Sequence, residues 1–216
     1  MKKAVDEIFN RLFLNFPELM VCREDIISAF STIVQCYEKG GKAMVCGNGG
    51  SAADSEHIVG ELMKGFILKR EIPFKDKERI KAAFPENAEY LAKNLQGALP
   101  AISLVSQTAI SSAFINDVAA DMVYAQQVYG YAREGDVLIS ISTSGNASNV
   151  ANAVKIAKAF GVKTIGITGK SGGMLRNLCG VTIRVPAEET FRIQEYHLPV
   201  YHAVCAAVEE EFFGGK

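Results

Sequence analysis

The most restrictive feature of the chain is the run Gly41-Lys42-Ala43-Met44-Val45-Cys46-Gly47-Asn48-Gly49-Gly50-Ser51. A short apolar strand leads into a glycine-rich turn, and the turn leads into an Ala-rich segment with helical spacing. That order gathers free backbone N–H groups and the positive end of a helix at one point, which binds anions and above all phosphate. The glycines let the backbone take positive φ and approach a ligand closely. Asn48, Gly49, Gly50 and Ser51 are therefore candidate phosphate contacts. His57 and Glu61 follow on the same helix, four residues apart and on one face. The spacing matches neither a dinucleotide fingerprint nor a P-loop. Each part also has an ordinary reading, as a tight connection and as a solvated His/Glu pair. Only a second element of the same kind tips the balance toward a site.

That element is Ser142-Thr143-Ser144-Gly145-Asn146, which follows the strand 136–141 and precedes a helix from about 147 to 160. Hydroxyls at such a junction often serve only as an N-cap. Three in a row exceed what one cap needs, so Ser142, Thr143 and Ser144 are read as phosphate ligands. Further strands are expected at 41–46, 101–105, 162–168 and 181–185. Helical segments fall at 106–114, 118–132, 174–178 and roughly 189–213. Strands alternating with helices and apolar on both faces predict an α/β three-layer sandwich with a five-stranded parallel sheet. In such sheets ligands bind beyond the carboxyl ends of the strands, where both polar loops fall.

The chain reads as one domain over 1–216, with amphipathic helices in 1–39 and an excursion near 67–97. In the excursion Lys and Arg alternate with Asp and Glu, prolines stand at 73 and 85, and 86–95 suits a short helix. It is expected to be a solvated surface segment, the alternative being a lid that brings a cation to the phosphate. A net charge of −1 removes the electrostatic case for nucleic acid or an anionic membrane. No apolar run is long enough to span a bilayer. The N-terminus turns acidic before any leader-like apolar core. The five scattered cysteines suit reduced, buried thiols, so a cytoplasmic protein is expected.

The last helix carries Arg192, Gln194, Glu195, His197 and His202. At about 100° per residue, Gln194 and His202 lie about 80° apart, whereas His197 and His202 lie about 140° apart. One of these two histidines is then structural unless Pro199 distorts the helix.

With these motifs together, the chain resembles the phosphoheptose isomerases, built on the sugar isomerase (SIS) domain of flavodoxin-like topology. The resemblance rests on Cys46–Ser51 with Asp54, His57 and Glu61, on Ile141–Asn146, and on Arg192-Ile193-Gln194-Glu195 with His202. It implies isomerisation of sedoheptulose 7-phosphate or a related ketose phosphate through an enediol, with Glu61 as base and His202 as acid. It also implies zinc or another divalent metal held by His57, Glu61, Gln194 and His202, without a nucleotide cofactor. A metal-bound carboxylate is a weaker base, so the two roles of Glu61 compete. Asn116 and Asp117 match an Asn-Asp pair that reaches the substrate, and the assembly implied is a homotetramer. Apolar helix faces carrying Phe9, Leu12, Phe13, Phe212 and Phe213 point the same way.

Three positions depart from the family pattern. Gly65 stands near where an arginine is usual, Ala147 replaces a serine, and Phe191 replaces an acidic residue. These bear on which sugar is taken. Non-catalytic SIS proteins, including replication-initiator-associating ones, are the alternative. They lack the metal-type glutamate and the final histidine, both of which this chain keeps.

Overall fold

The computed structural model describes residues 2–215. Two helices come first, α1 (Lys3–Asn15) and α2 (Arg23–Glu38), separated by a 3₁₀ turn over Pro17–Cys22. Strand β1 (Ala43–Gly47) leads into α3 (Gly50–Met63), and the excursion follows with α4 (Phe74–Ala83) and α5 (Ala88–Asn94). Next come β2 (Ala101–Ser103), α6 (Thr108–Asp117), α7 (Val123–Tyr131) and β3 (Val137–Ile141). The chain closes with α8 (Ser148–Ala159), β4 (Lys163–Thr168), α9 (Leu175–Leu178), β5 (Val181–Arg184) and α10 (Thr190–Phe213).

The sheet is wholly parallel in the order β2-β1-β3-β4-β5. Its three central strands are buried on both sides and its edge strands half-buried, and their residues divide by parity. Val45, Ile139, Ile141, Ile165, Ile167 and Ile183 face one apolar layer with α1, α2, α3 and α10. Met44, Cys46 and Leu138 face the other, with α7 and α8. This is the three-layer architecture expected for strands that are apolar on both faces. From β1 the chain moves outward to β2 and then returns to place β3 on the other side of β1. That reversal opens a crevice beyond the carboxyl ends of β1 and β3, the ligand position of such sheets. The loops at 48–49 and 142–147 form its two lips.

The apolar faces read as surplus surface lie largely inside the protomer. Phe9, Leu12 and Phe13 are buried, Phe212 packs edge-on to Tyr37, and Phe213 lies under the Arg70 guanidinium. Leu14, Val21, Ile67 and Phe191 are exposed instead. The excursion also differs from expectation. Residues 74–83 form a helix that alternating charges concealed, since neither α4 nor α5 buries any residue to give an apolar stripe. Arg70, grouped there with solvated charges, is fully buried because a carboxylate and two backbone carbonyls meet it inside. Among the described residues no helix is long and apolar enough to cross a membrane.

Candidate active site

Gly49 has φ +58°, and α3 begins at the next residue, so the turn needs the freedom of glycine. Gly50 is tight for a different reason: a Cβ there would stand 2.3 Å from Nε2 of Gln194. The start of α10 thus lies against the start of α3. Asn48 crosses the crevice and exchanges amide hydrogen bonds with Asn149 in the first turn of α8, at 2.9 and 3.0 Å. The Tyr124 hydroxyl donates to the Gly47 carbonyl at 2.8 Å and steadies the same lip.

At the other lip, Gly145 has φ +69°, and a Cβ there would meet the Gly172 carbonyl at 2.0 Å. The Ser142 carbonyl accepts from Gly145 N–H at 3.0 Å, and the Thr143 carbonyl accepts from Gly169 N–H at 2.9 Å. The hydroxyls of Ser142, Thr143 and Ser144 do not cap α8, whose N-cap residue is Ala147 with no side-chain cap bond. Ser144 Oγ accepts from Asn146 N–H at 3.2 Å instead. The capping explanation for the hydroxyl run therefore fails at this junction.

Helices α3 and α10 run side by side from the Gly50–Gln194 contact, so residues about two turns on meet as well. His57 Nε2 is 3.2 Å from Glu61 Oε1 and 3.4 Å from His202 Nε2. The Tyr201 hydroxyl lies 3.2 Å from Asp54 Oδ1 and 3.0 Å from His57 Nδ1. It has one proton to give. Donated to the carboxylate, that proton leaves Tyr201 accepting from His57 Nδ1–H, and His57 Nε2 then presents a bare lone pair. Burial raises the pKa of Asp54, against the pull of the Tyr201 hydrogen bond and of His57. Burial and then neighbouring His57 hold His202 below the ordinary imidazole value, with Glu61 opposing. Glu61 is nearly enclosed, and its Oε2 has no hydrogen-bond partner although Lys64 Nζ lies 3.8 Å away.

Among the described residues, no group of three or more His, Cys, Asp or Glu side chains stands arranged around a metal position. The donor chemistry nevertheless fits one. Zinc bonds of about 2.0–2.2 Å put tetrahedral ligand atoms about 3.3 Å apart, close to the 3.2 and 3.4 Å separations from His57 Nε2. A lone pair facing a carboxylate oxygen and a second imidazole nitrogen calls for a shared proton or a cation.

Of the sequence-derived candidates, His57, Glu61 and His202 come together in one cluster. Gln194 does not join it as the side chains stand. It lies at the glycine turn, about 12 Å along the helix axis from His202. Asn116 and Asp117 end α6, where they are exposed and bonded to each other at 2.8 Å. Among the described hydrogen bonds none links them to another candidate. His197 is the structural histidine of α10: it is fully buried, neither ring nitrogen has a partner of good geometry, and burial lowers its pKa to about 4. Tyr201 escaped the sequence reading. The available signal was its spacing, seven residues after Gln194 and hence on nearly the same helix face.

A family model for the SIS domain matches residues 98–208. The phosphoheptose isomerase of Clostridium acetobutylicum is 40% identical over 193 residues, covering 89% of this chain and 85% of its own length. This chain belongs to the phosphoheptose isomerase family. The Aneurinibacillus thermoaerophilus member is 33% identical over 207 residues, covering 94% of this chain and 91% of its own. Solved phosphoheptose isomerases agree. That from Francisella tularensis superposes with a TM-score of 0.73 at 28% identity, over 97% of this chain and all of its own. That from Neisseria gonorrhoeae gives 0.67 at 31%, over 92% and 98%. Phosphoheptose isomerases of this fold thus share with the chain the whole frame that carries the crevice.

Proposed function

We propose that the protein is a phosphosugar aldose–ketose isomerase acting on sedoheptulose 7-phosphate or a closely related ketose phosphate. The observation that carries this reading is the meeting of Glu61, His57 and His202 beside a double anion-binding crevice, in a chain of the phosphoheptose isomerase family. The phosphate is assigned to Ser142, Thr143, Ser144, Ser51 and the N–H groups around Gly49 and Gly50, with Asn48 and Gln194 on the sugar. Asn116 and Asp117 stay on the substrate list through the resemblance alone.

The reaction moves one proton from C1 to C2 and one from the C1 oxygen to the C2 oxygen. Glu61 suits the carbon transfer: its carboxylate takes the C1 proton, an enediol forms, and the same carboxyl returns a proton to C2. His202 donates N–H to the C2 carbonyl oxygen and recovers a proton from the C1 hydroxyl. Tyr201 and Asp54 keep the His57 ring in place.

Zinc is the metal we infer, with His57, Glu61 and His202 as ligands and Gln194 as a fourth that would have to swing from Gly50. When bound, it would supply a Lewis acid for the oxygens of the enediol. We further infer a homotetramer. Ile67, Leu198 and Phe191 are exposed, and Leu198 lies between Gln194 and His202 along α10, so a neighbouring subunit would cover the open side of the site. The cytoplasm suits free cysteines whose burial pushes them up to about 12, as neutral thiols.

The test is turnover. Purified protein with zinc is assayed against a panel of phosphorylated ketoses and aldoses, sedoheptulose 7-phosphate among them. The wild type should isomerise at least one, and Glu61→Gln should bind the same sugar phosphate without turning it over. Binding without turnover by the wild type would make the protein a phosphosugar-binding SIS protein instead.

A further inference from the structure

The segment after α3 contains an ion pair that the reaction does not use. The Arg70 side chain is wholly buried and that of Glu209 is 1% exposed. Glu209 accepts four hydrogen bonds, the capacity of a carboxylate. Oε1 takes Phe66 N–H at 2.8 Å and Arg70 Nε at 2.6 Å, and Oε2 takes Ile67 and Leu68 N–H at 2.8 and 3.1 Å. Burial alone would raise the Glu209 pKa, but these donors outweigh it and hold the carboxyl below its ordinary value.

The other arms of Arg70 reach the end of α3. Nη1 donates to the Leu62 carbonyl at 2.7 Å and Nη2 to the Glu61 carbonyl at 2.8 Å. These are last-turn carbonyls, left without intrahelical partners because α3 ends at Met63 in extended backbone. A cation there also complements the negative end of the helix. The residue whose carbonyl Arg70 grips is the one that carries the base.

Glu209 lies seven residues after His202 on α10, about 20° away round the helix and so on the same face. The loop it pins brings the Phe66 ring to 5.4 Å from the His202 ring. One buried carboxylate therefore governs both sides of the site, Glu61 through Arg70 and His202 through Phe66.

We propose that Arg70 and Glu209 are positioning residues that set the separation of Glu61 and His202. The proposal rests on the isomerase reading above. A buried ion pair is a poor device for stability, since desolvating two charges offsets most of their attraction and apolar residues often serve as well. A guanidinium fork fixed at three points is a good device for geometry, because its planar donors define direction as well as distance.

Arg70→Lys keeps the charge and loses the fork, and Glu209→Asp keeps the charge and shortens the reach. For each we would measure the thermal midpoint, kcat and KM on the ketose phosphate that the wild type turns over, and zinc affinity by competition with a chelator. Whichever variant folds should show kcat down about ten- to a hundredfold, KM within about threefold, and zinc affinity down at least about tenfold. A lowered midpoint with kcat and zinc affinity unchanged would make the pair purely structural and overturn the proposal. A raised KM at unchanged kcat would overturn it too, by placing the pair at substrate binding. If the wild type turns over no sugar phosphate, the isomerase reading falls, and the zinc-affinity comparison alone then decides whether Arg70 and Glu209 position the cluster.

Discussion

His197 makes a strong prediction about pH. Its ring is fully buried, neither nitrogen has a partner of good geometry, and burial takes its pKa from 6.5 to about 4, against a weaker opposing pull from a hydrogen bond with the Thr168 backbone. A folded pKa below the unfolded one means that the unfolded chain binds more protons below about pH 6.5. The stability contributed by neutral His197 is complete above that pH and is lost as pH falls toward 4. Between about pH 7.5 and about pH 5, those two pKa values remove about 2 kcal/mol through this residue alone. His197→Phe keeps a ring of similar size and cannot titrate. It also removes two buried nitrogens that lack well-formed hydrogen bonds, so it should be about as stable at neutral pH. Urea unfolding of wild type and variant at both pH values, at one protomer concentration, isolates the term, because carboxylate titrations are common to both proteins. The wild type should lose about 2 kcal/mol more than the variant on acidification. Equal losses would show that His197 is protonated or hydrated in the folded protein, and would refute its assignment as a dry structural residue.

Three further outcomes are expected. Thr143→Val removes a hydroxyl that does not cap α8; losing a hydrogen bond to a charged phosphate should weaken substrate binding roughly ten- to a hundredfold, and unchanged affinity by calorimetry would return the hydroxyls to a local structural role. His57→Ala should lower zinc content well below one ion per protomer in elemental analysis after dialysis, and wild-type content would disprove the ligand set. Light scattering at micromolar concentration should give the mass of four protomers; a monomer with full activity would refute both the assembly and a neighbour's cover over the site.

Much of the fold was legible because local patterns and global architecture agree. Apolar strands between helices leave no good alternative to a parallel sheet, and a glycine turn at a strand end marks where its helix begins. His57 and Glu61 could be paired from spacing alone, as could the separation of His197 from His202 round their helix. The excursion was harder to read. Helix α4 has no buried face, so no periodicity revealed it, and Arg70 among neighbouring lysines looked like any other surface charge. What turns Arg70 inward is a carboxylate 139 residues away in sequence. Tyr201 gained its place between Asp54 and His57 in the same way, when α10 was laid alongside α3. Spacing within a helix fixes which side chains share a face, but not what that face will meet. Legible in the sequence by itself were the glycine turn and the hydroxyl loop at strand ends and the parallel sheet; the acid–base candidates came with the family resemblance. The tertiary structure decided which candidates touch, which histidine is fully buried, and which distant charge meets the end of α3, because those depend on contacts between segments that no local period encodes.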